Sequence, residues 1–400
     1  MIEIRRLTPE DMLNFQKMHV VVYNLRRDFS KEEKSNALDH PAHWAWGAFE
    51  NGKFVSGMWE IDFLMRFDGK NVKMSGIGGV GTLPEARKNG LVRRIFEKLL
   101  PSAYEDGVIF SNLTPFSHDF YRLFGYELAC ARKRVMIPTK DFFKFKIHGD
   151  FVQIFPDSDT SALQEVHSAY IANLNHGICR DYWTDNRAWK RFIQNDPYSS
   201  GIFLYLWKNE NGQAKSYIQY QDLQDGNNHK MSVLELAFVD REGLYGALSL
   251  VGGLSAQFEE FLWLMPTFID PIDFMGNAWN IEQKIIPRDM TRVVNVKVAL
   301  EKMRVPAGEG AYVLEVKDEH IKANCGKYLV EFGTQKSNVS STQKAADIIC
   351  EIGPLSQLIT GYRTLENALV SRQSGLAVCG NTETLNRVFI QRPQHVTEYF

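Results

Sequence analysis

Residues 74–96 read MSGIGGVGTLPEARKNGLVRRIF and pass from small apolar residues through a basic loop into a helical pattern. The apolar run up to Leu83 predicts a strand, which must stop before Pro84 because proline has no N–H for a ladder. After Gly90 the apolar residues recur at helical spacing. The stretch therefore predicts a strand, a short loop and the start of a helix, in that order.

Basic residues surround the predicted helix start. Arg87, Lys88, Arg93 and Arg94 all lie close to Gly90 in the sequence. The first N–H groups of an α-helix have no partner inside the helix, and the helix dipole favours negative charge at that end. The loop and the helix start therefore predict an anion site, for which a phosphate is a suitable ligand.

Three phosphate-binding motifs compete for this loop. The glycines within residues 76–81 satisfy G-x-G-x-x-G, but they lie inside the apolar run and not at a strand-to-helix turn. A P-loop fits less well, because no Gly-Lys-Ser/Thr follows. Arg87 and Gly90 fill the R-x-x-G-x-G/A signature of the GCN5-related N-acetyltransferases (GNAT superfamily), although Val92 stands where a glycine or alanine is usual.

Two downstream segments strengthen this resemblance. Residues 113–116 read LTPF, and residues 120–127 read FYRLFGYE. Together with the Arg87-x-x-Gly90 core, they resemble the Eis-like (enhanced intracellular survival) branch of the superfamily. The length of the chain and its aromatic last residue, Phe400, agree with that branch. The specific motifs cover residues 76–127 and the terminus.

The resemblance implies acetyl-coenzyme A as co-substrate. Backbone N–H groups from Lys88 to Arg93 would hold the pyrophosphate, with charge-assisted contacts from Arg87 and Arg93. The strand edge at residues 80–82 would pair with the pantetheine amides, and the Val80 N–H would polarise the thioester carbonyl. A plainer interpretation leaves the glycines as a bulge in a crowded sheet. The residues expected to contact the coenzyme are Val80, Gly81, Thr82, Arg87, Lys88, Asn89, Gly90, Leu91, Val92 and Arg93.

Two catalytic groups are implied by the same resemblance. Tyr126 would be the acid that protonates the departing thiolate, and the terminal α-carboxylate of Phe400 would be the base that accepts the proton of the amine. The alternatives are an ordinary strand aromatic for Tyr126 and a disordered tail for Phe400.

An acidic and aromatic region between Tyr23 and His43 is the candidate binding region for the acceptor. Trp44 and Trp46 follow it, and such a cleft would suit a polyamine such as an aminoglycoside. The family includes enzymes that acetylate aminoglycosides and others that acetylate lysines. Charged loop residues are also commonly just solvated, so both interpretations stay open. The acidic residues are Asp28, Glu32, Glu33 and Asp39.

The pattern of strands and helices predicts three domains of mixed α+β and α/β class. The resemblance implies an N-terminal GNAT domain over residues 1–139, a second and degenerate GNAT-like domain over residues 140–290, and a sterol-carrier-like α+β domain over residues 291–400. In the second domain only Asp240–Gly243 separates strand from helix, so its loop is too short and too acidic to copy the first site.

Helical patterns are also expected within the third domain. They cover Thr342–Cys350 and Leu355–Thr360.

Composition narrows the remaining possibilities. With 46 basic and 48 acidic residues, the net charge of −2 predicts neither nucleic-acid binding nor attraction to an anionic membrane. No run of about 18 uncharged apolar residues occurs, so a cytoplasmic protein is expected. The five cysteines lack C-x-x-C spacing, and the ten histidines show no ligand spacing, so no metal is expected.

Assembly and two other function classes complete the expectations. The resemblance implies a homo-oligomer, a hexamer in related proteins, and a small-molecule amine as acceptor. The alternatives are a catalytically silent acyl-coenzyme-A-binding regulatory protein and a lipid-binding scaffold, which would respond to acyl chains and not to the coenzyme.

Overall fold

The structure, a computed structural model, describes residues 1–29, 41–145, 147–183, 185–226, 228–275, 279, 281–305, 308–333, 337–371 and 375–398. The strands are β1 (Ile2–Arg6), β2 (Ala45–Glu50), β3 (Lys53–Phe67), β4 (Lys70–Thr82), β5 (Phe110–Leu113), β6 (Glu127–Pro138), β7 (Gly149–Gln153), β8 (Ile202–Asn209), β9 (Ala214–Asp225), β10 (Asn228–Phe238), β11 (Glu260–Pro266), β12 (Glu282–Val293), β13 (Gly310–Lys317), β14 (Gly326–Phe332), β15 (Ser337–Ser341), β16 (Ile348–Glu351) and β17 (Leu376–Val378).

The α-helices connect these strands. They are α1 (Met12–Val22), α2 (Leu91–Glu105), α3 (His118–Arg122), α4 (Ser161–Ile171), α5 (Arg187–Phe192), α6 (Pro197–Ser200), α7 (Arg241–Gly253), α8 (Val296–Lys302), α9 (Ile352–Thr360), α10 (Leu365–Leu369) and α11 (Thr382–Val388).

The chain divides into two compact units. The first unit contains residues 1–130, residues 288–392 and the described residues from Val396 onward, and the second contains residues 131–287 and 393–395. The segments predicted as the first and third domains thus share one unit.

The first unit contains a sheet with strand order β1-β2-β3-β4-β5-β12. All neighbours are antiparallel except β4 and β5, which run parallel and are joined by α2. Helix α2 packs on this sheet through Leu91, Ile95, Phe96, Leu99, Leu100 and Ala103, which are all buried. Each large apolar side chain contributes roughly 2 kcal/mol on burial, so the apolar stripe holds the helix against the sheet.

The second unit repeats the same order of strands. Its sheet runs β7-β8-β9-β10-β11-β6, again antiparallel except for the parallel pair β10 and β11, which α7 joins. In each unit the sixth strand comes from the sequence that follows the other repeat. The two units therefore share one topology.

The helix start of the second repeat differs chemically from that of the first. The Asp240 side chain accepts the Gly243 N–H at 2.9 Å, and Lys215 pairs with the same carboxylate at 2.8 Å. A carboxylate therefore already occupies the helix N-terminus, where a phosphate would have to bind.

The C-terminal part of the first unit forms a second sheet, with strand order β15-β14-β13-β16-β17. Helix α9 follows β16, and all nine of its residues are buried. A helix buried on every side must be packed between other elements, not laid on a surface.

The helix predicted over Thr342–Cys350 is wrong. The segment instead enters β16, which lies parallel to β13 with Leu314 opposite Ile348. Asp347 fixes this register, because its backbone N–H donates to the Val313 carbonyl at 2.8 Å and its side chain accepts the Val313 N–H at 2.7 Å. The helix predicted over Leu355–Thr360 is present as part of α9.

Candidate active site

Strand β4 extends beyond the end of β5, and the first sheet opens at that point. The two strands pair only from Met74 opposite Phe110 to Ile77 opposite Leu113, where β5 ends. Strand β4 continues to Thr82. Within the described chain, the edge of β4 beyond Ile77 therefore has no strand beside it, and its backbone groups can pair with a ligand.

A β-bulge shapes this free edge. The register between β3 and β4 shifts between Gly57 and Trp59, so that Gly79 and Val80 together oppose Met58. Gly79 has φ +56°, and a Cβ there would lie 2.6 Å from His19 Nε2. A residue with a side chain at this position would strain the backbone and collide with the imidazole, so glycine is required.

Helix α1 binds the carbonyl groups of the bulge. His19 Nε2 donates to the Gly79 carbonyl at 2.8 Å, and the Tyr23 hydroxyl donates to the Val80 carbonyl at 3.1 Å. Burial lowers the pKa of His19, which favours the neutral ring. In a trans peptide the N–H points opposite to the carbonyl, so the Val80 N–H points away from His19.

The loop after β4 and the start of α2 form the basic rim of the site. Lys88 and Gly90 adopt left-handed conformations, with φ +68° and +67°, and α2 begins at Leu91 as the sequence predicts. Gly90 has no side chain to cap the helix, so the N–H groups of the first turn stay open to a ligand. The side chains of Arg87 and Arg93 at this rim are exposed.

One cleft of about 880 Å³ contains this edge and this rim. All ten residues predicted to contact the coenzyme lie along it, and the structure adds an aromatic wall opposite them. The cleft is lined by Val22, Tyr23, Ile77, Gly78, Gly79, Val80, Gly81, Thr82, Ala86, Arg87, Lys88, Asn89, Gly90, Leu91, Val92, Arg93, Thr114, Phe116, Phe120, Tyr121, Leu123 and Phe124. Its size suits a large organic ligand.

The aromatic wall is the segment of residues 116–124, which contains the short helix α3. Ser117 caps this helix by accepting the Phe120 N–H. Arg122 then forms a two-pronged pair with Glu127, at 2.9 and 3.0 Å. Glu127, the glutamate of the FGYE segment, therefore binds α3 from the start of β6.

Tyr126 does not line the cleft. Its side chain is 1% exposed, and its hydroxyl shares a hydrogen bond of 2.7 Å with the Ser111 hydroxyl, which in turn is bonded to Ser75. Burial raises the pKa of Tyr126, against a lowering by the Ser111 hydrogen bond. The predicted acid is thus placed inside the core beneath the wall, and not at the surface of the cleft.

Tyr121 lies at the cleft, where the sequence interpretation expected Tyr126. It lines the cleft, and its hydroxyl makes no hydrogen bond to any residue the structure describes. Burial raises its pKa, so the phenol keeps its proton at neutral pH. The sequence signal for this difference is that Tyr121 lies on a short helix, whereas Tyr126 directly precedes a strand with buried residues.

The acceptor region is only partly described. Glu32, Glu33 and Asp39 lie outside the described residues, and so does Phe400. Trp46 is buried in the core, where its indole N–H donates to Glu60 at 2.7 Å, so it cannot line an acceptor cleft.

Glu60 is the most perturbed carboxyl of this region. Burial raises its pKa to about 7, while the Arg6 charge and the Trp46 hydrogen bond act in the opposite direction.

Comparisons with known proteins agree with the two parts of the first unit. Residues 3–129 match the acetyltransferase (GNAT) domain family, and residues 296–396 match the sterol carrier protein domain family. An uncharacterized N-acetyltransferase of Streptomyces griseus is 22% identical over 373 residues, which is 86% of each chain.

Solved structures are similar over the whole length. A probable N-acyltransferase from Enterococcus faecalis covers 100% of both chains with TM-score 0.86 and 22% identity. A GCN5-related N-acetyltransferase from Anabaena variabilis does so with TM-score 0.86 and 18% identity, and Eis1 from Mycobacterium abscessus with TM-score 0.79 and 17% identity. The predicted fold class, tandem GNAT folds followed by a sterol-carrier-like domain, is confirmed.

Among the described residues, no group of three or more His, Cys, Asp or Glu side chains is placed to hold a metal ion. No helix in the described ranges is both long and apolar enough to cross a bilayer.

Replacing Gly79 with alanine should damage the cleft. The new Cβ would displace His19 and flatten the bulge, so the affinity for coenzyme A should fall roughly tenfold or more. Isothermal titration calorimetry with coenzyme A measures this. The control is Gly52→Ala, which also has positive φ but open space around the new Cβ. The control should lose about 1 kcal/mol of stability and keep its affinity. Equal affinity in both variants would contradict the assignment.

Proposed function

We propose that the chain is an N-acetyltransferase of the Eis-like branch of the GNAT superfamily, and that it transfers the acetyl group of acetyl-coenzyme A to an amine of a polyamine-type acceptor such as an aminoglycoside. The observation that carries the proposal is the cleft in which the free edge of β4 meets the open N-terminus of α2. An amide bond forms, the thioester bond breaks, the amine loses a proton and the sulfur gains one.

The basic rim would hold the pyrophosphate. The N–H groups between Lys88 and Arg93 supply donors at the positive end of the helix dipole, and the exposed guanidinium groups of Arg87 and Arg93 add charge. Val92, which departs from the signature, is half-buried against the core and lines the cleft.

The bulge would hold the reacting carbonyl. The Val80 N–H points away from α1, and the carbonyls of Gly79 and Val80 are already bonded by His19 and Tyr23. A fixed donor of this kind stabilises charge on a carbonyl oxygen without reorganising during the reaction. The free edge at residues 80–82 would pair with the pantetheine amides.

Tyr121 is the better candidate for the acid, and Tyr126 is the rival. Direct proton transfer requires a hydroxyl within hydrogen-bond reach of the departing sulfur. The supporting observation is that Tyr121 lines the cleft and its hydroxyl is bonded to no described residue, whereas the Tyr126 hydroxyl is bonded to Ser111 within the core.

The α-carboxylate of Phe400, the last residue of this sequence, is retained as the proposed base. A carboxylate can attract the ammonium form of an amine and then accept its proton. The supporting observation is that Val396, which is buried, belongs to the same compact unit as the cleft. Assembly into a homo-oligomer, a hexamer by resemblance, is part of the same proposal and is tested by sedimentation.

The direct test is a thiol-release assay with acetyl-coenzyme A against aminoglycosides, polyamines and lysine peptides. The proposal expects release that depends on the amine, with mass spectrometry showing acetylated product. Thermal stabilisation by the coenzyme without release across the panel would instead favour the silent binder. Stabilisation by acyl chains with indifference to the coenzyme would favour the lipid-binding scaffold.

The two tyrosines can be separated by their phenylalanine variants. Tyr121→Phe should lower kcat on the order of a hundredfold and leave the KM for acetyl-coenzyme A within about twofold. Tyr126→Phe should mainly lower stability, by about 1 kcal/mol, because it removes only a buried hydrogen bond. Steady-state kinetics and urea unfolding measure both. The opposite pattern would return the acid role to Tyr126.

An extension after Phe400 moves the terminal carboxylate and leaves residues 1–400 unchanged. A Gly-Ser extension after Phe400 should lower kcat on the order of a hundredfold, because the carboxylate no longer lies at its position. The matched control carries the same extension at the N-terminus and should be fully active. Unchanged kcat in the C-terminally extended protein, at unchanged melting temperature, would remove Phe400 from the mechanism.

A further inference from the structure

The aromatic wall of the cleft is held by residues from the C-terminal part of the chain. Its last two residues, Leu123 and Phe124, follow α3, and the last carbonyls of a helix have no partner within the helix. Both carbonyls accept hydrogen bonds from residues beyond position 290.

Arg292 supplies the first of these bonds. Its guanidinium donates to the Phe124 carbonyl through Nη1 and to the Asp318 carboxylate through Nη2, the latter at 2.6 Å. Both charged side chains are completely buried. The guanidinium is planar and its donor directions are fixed, and it binds both acceptors. The Phe124 carbonyl is therefore held relative to Asp318 by geometry as well as by charge.

Asp318 is itself fixed by further donors. Its carboxylate accepts the Asn324 side-chain amide at 2.9 Å and the Ile321 N–H at 3.1 Å. The ion pair therefore belongs to a network with several partners on both sides, and Arg292 cannot change its position without breaking several hydrogen bonds.

His320 supplies the second bond. Its Nε2 donates to the Leu123 carbonyl at 2.8 Å, and its ring lies beside Phe124 with 5.8 Å between the centroids. The side chain is half-buried and forms no ion pair with any residue that the structure describes. It can therefore be altered without leaving a charge unpaired in the core.

Helix α9 closes the space behind the wall. A Cβ on Gly125 would lie 2.5 Å from Ile352 Cγ2 and 3.0 Å from Arg292 Nη1. Gly125 has φ +77° and links Phe124 to Tyr126. The turn at the end of the wall thus fits tightly against the C-terminal part and has little room to shift.

We propose that the C-terminal part of the chain, from Arg292 on β12 into the sterol-carrier-like domain, serves acetyl transfer as a positioning frame, in which Arg292, Asp318 and His320 hold the aromatic wall so that the Tyr121 hydroxyl faces the cleft. This inference rests on the proposed function for its kinetic readout. Arg292 and His320 are positioning residues, since neither lines the cleft. The connection to Tyr121 is short, because the Phe124 and Tyr126 N–H groups both donate to the Tyr121 carbonyl.

The test uses His320→Ala in the full chain. With the Leu123 carbonyl released, α3 should move and kcat should fall roughly tenfold, with the KM for acetyl-coenzyme A within about twofold. His320→Gln places an amide donor near the former Nε2 and should restore most of kcat. In a Tyr121→Phe background, His320→Ala should cost less than about twofold, because both changes then act on the same step.

Gln357→Met is the matched control. Gln357 lies on α9 and donates to the Leu128 carbonyl at 2.6 Å, which is a partly buried bond that also comes from the C-terminal part but is made beyond the wall. The control should lower the melting temperature and leave kcat unchanged. Hydrogen exchange of residues 118–126 should rise in His320→Ala and not in the control.

The outcomes separate the two proposals. A wild-type protein without amine-dependent thiol release overturns the proposed function, and hydrogen exchange still decides whether the frame holds the wall. An active wild-type protein with unchanged kcat and unchanged exchange in His320→Ala overturns the frame. The frame is also overturned if Gln357→Met lowers kcat as much as His320→Ala does. It is overturned as well if His320→Ala still lowers kcat roughly tenfold in the Tyr121→Phe background.

Discussion

Strands β4 and β5 stop pairing after Ile77 and Leu113, and the rest of the site depends on this constraint. A strand edge in a protein must find partners for its N–H and C=O groups. Here none of the described strands pairs with this edge beyond Ile77, while the bulge at Gly79 turns neighbouring carbonyls toward α1. The remaining donors are directed to the other side, where a ligand with amides of its own can complete the ladder.

The two repeats show that this topology alone does not make a site. Both have the same strand order, with one parallel pair joined by a helix. In the first repeat a longer basic loop leads to Gly90, which leaves the helix N-terminus open. In the second repeat Asp240 binds its own helix start and repels an anion. The chemistry therefore lies in the loop and not in the fold.

Local features were predictable because their causes lie close together in the sequence. The start of α2 follows from Pro84, Gly90 and the apolar stripe, and the ten expected cleft residues belong to that same stretch.

Features fixed by distant contacts were not predictable in the same way. Nothing near residues 342–350 indicates that Asp347 exchanges two hydrogen bonds with Val313 and so commits the segment to a strand. Which tyrosine lines the cleft depends equally on a distant group, because Ser111 on β5 binds the Tyr126 hydroxyl within the core, while Tyr121 lines the cleft.

The buried pair of Arg292 and Asp318 is better explained by position than by stability. Removing two charges from water costs several kcal/mol per ion, and their attraction with good hydrogen bonds often only offsets that cost. Burial alone would raise the pKa of Asp318, yet the Arg292 charge and the hydrogen bonds from Asn324 and Ile321 lower it below its usual range. The carboxylate stays ionised at neutral pH, and its contribution is lost only as the pH falls through that lowered value. An apolar pair could fill the same volume, but it could not donate to the Phe124 carbonyl. The pair is therefore needed for direction, because it fixes where the wall of the cleft ends.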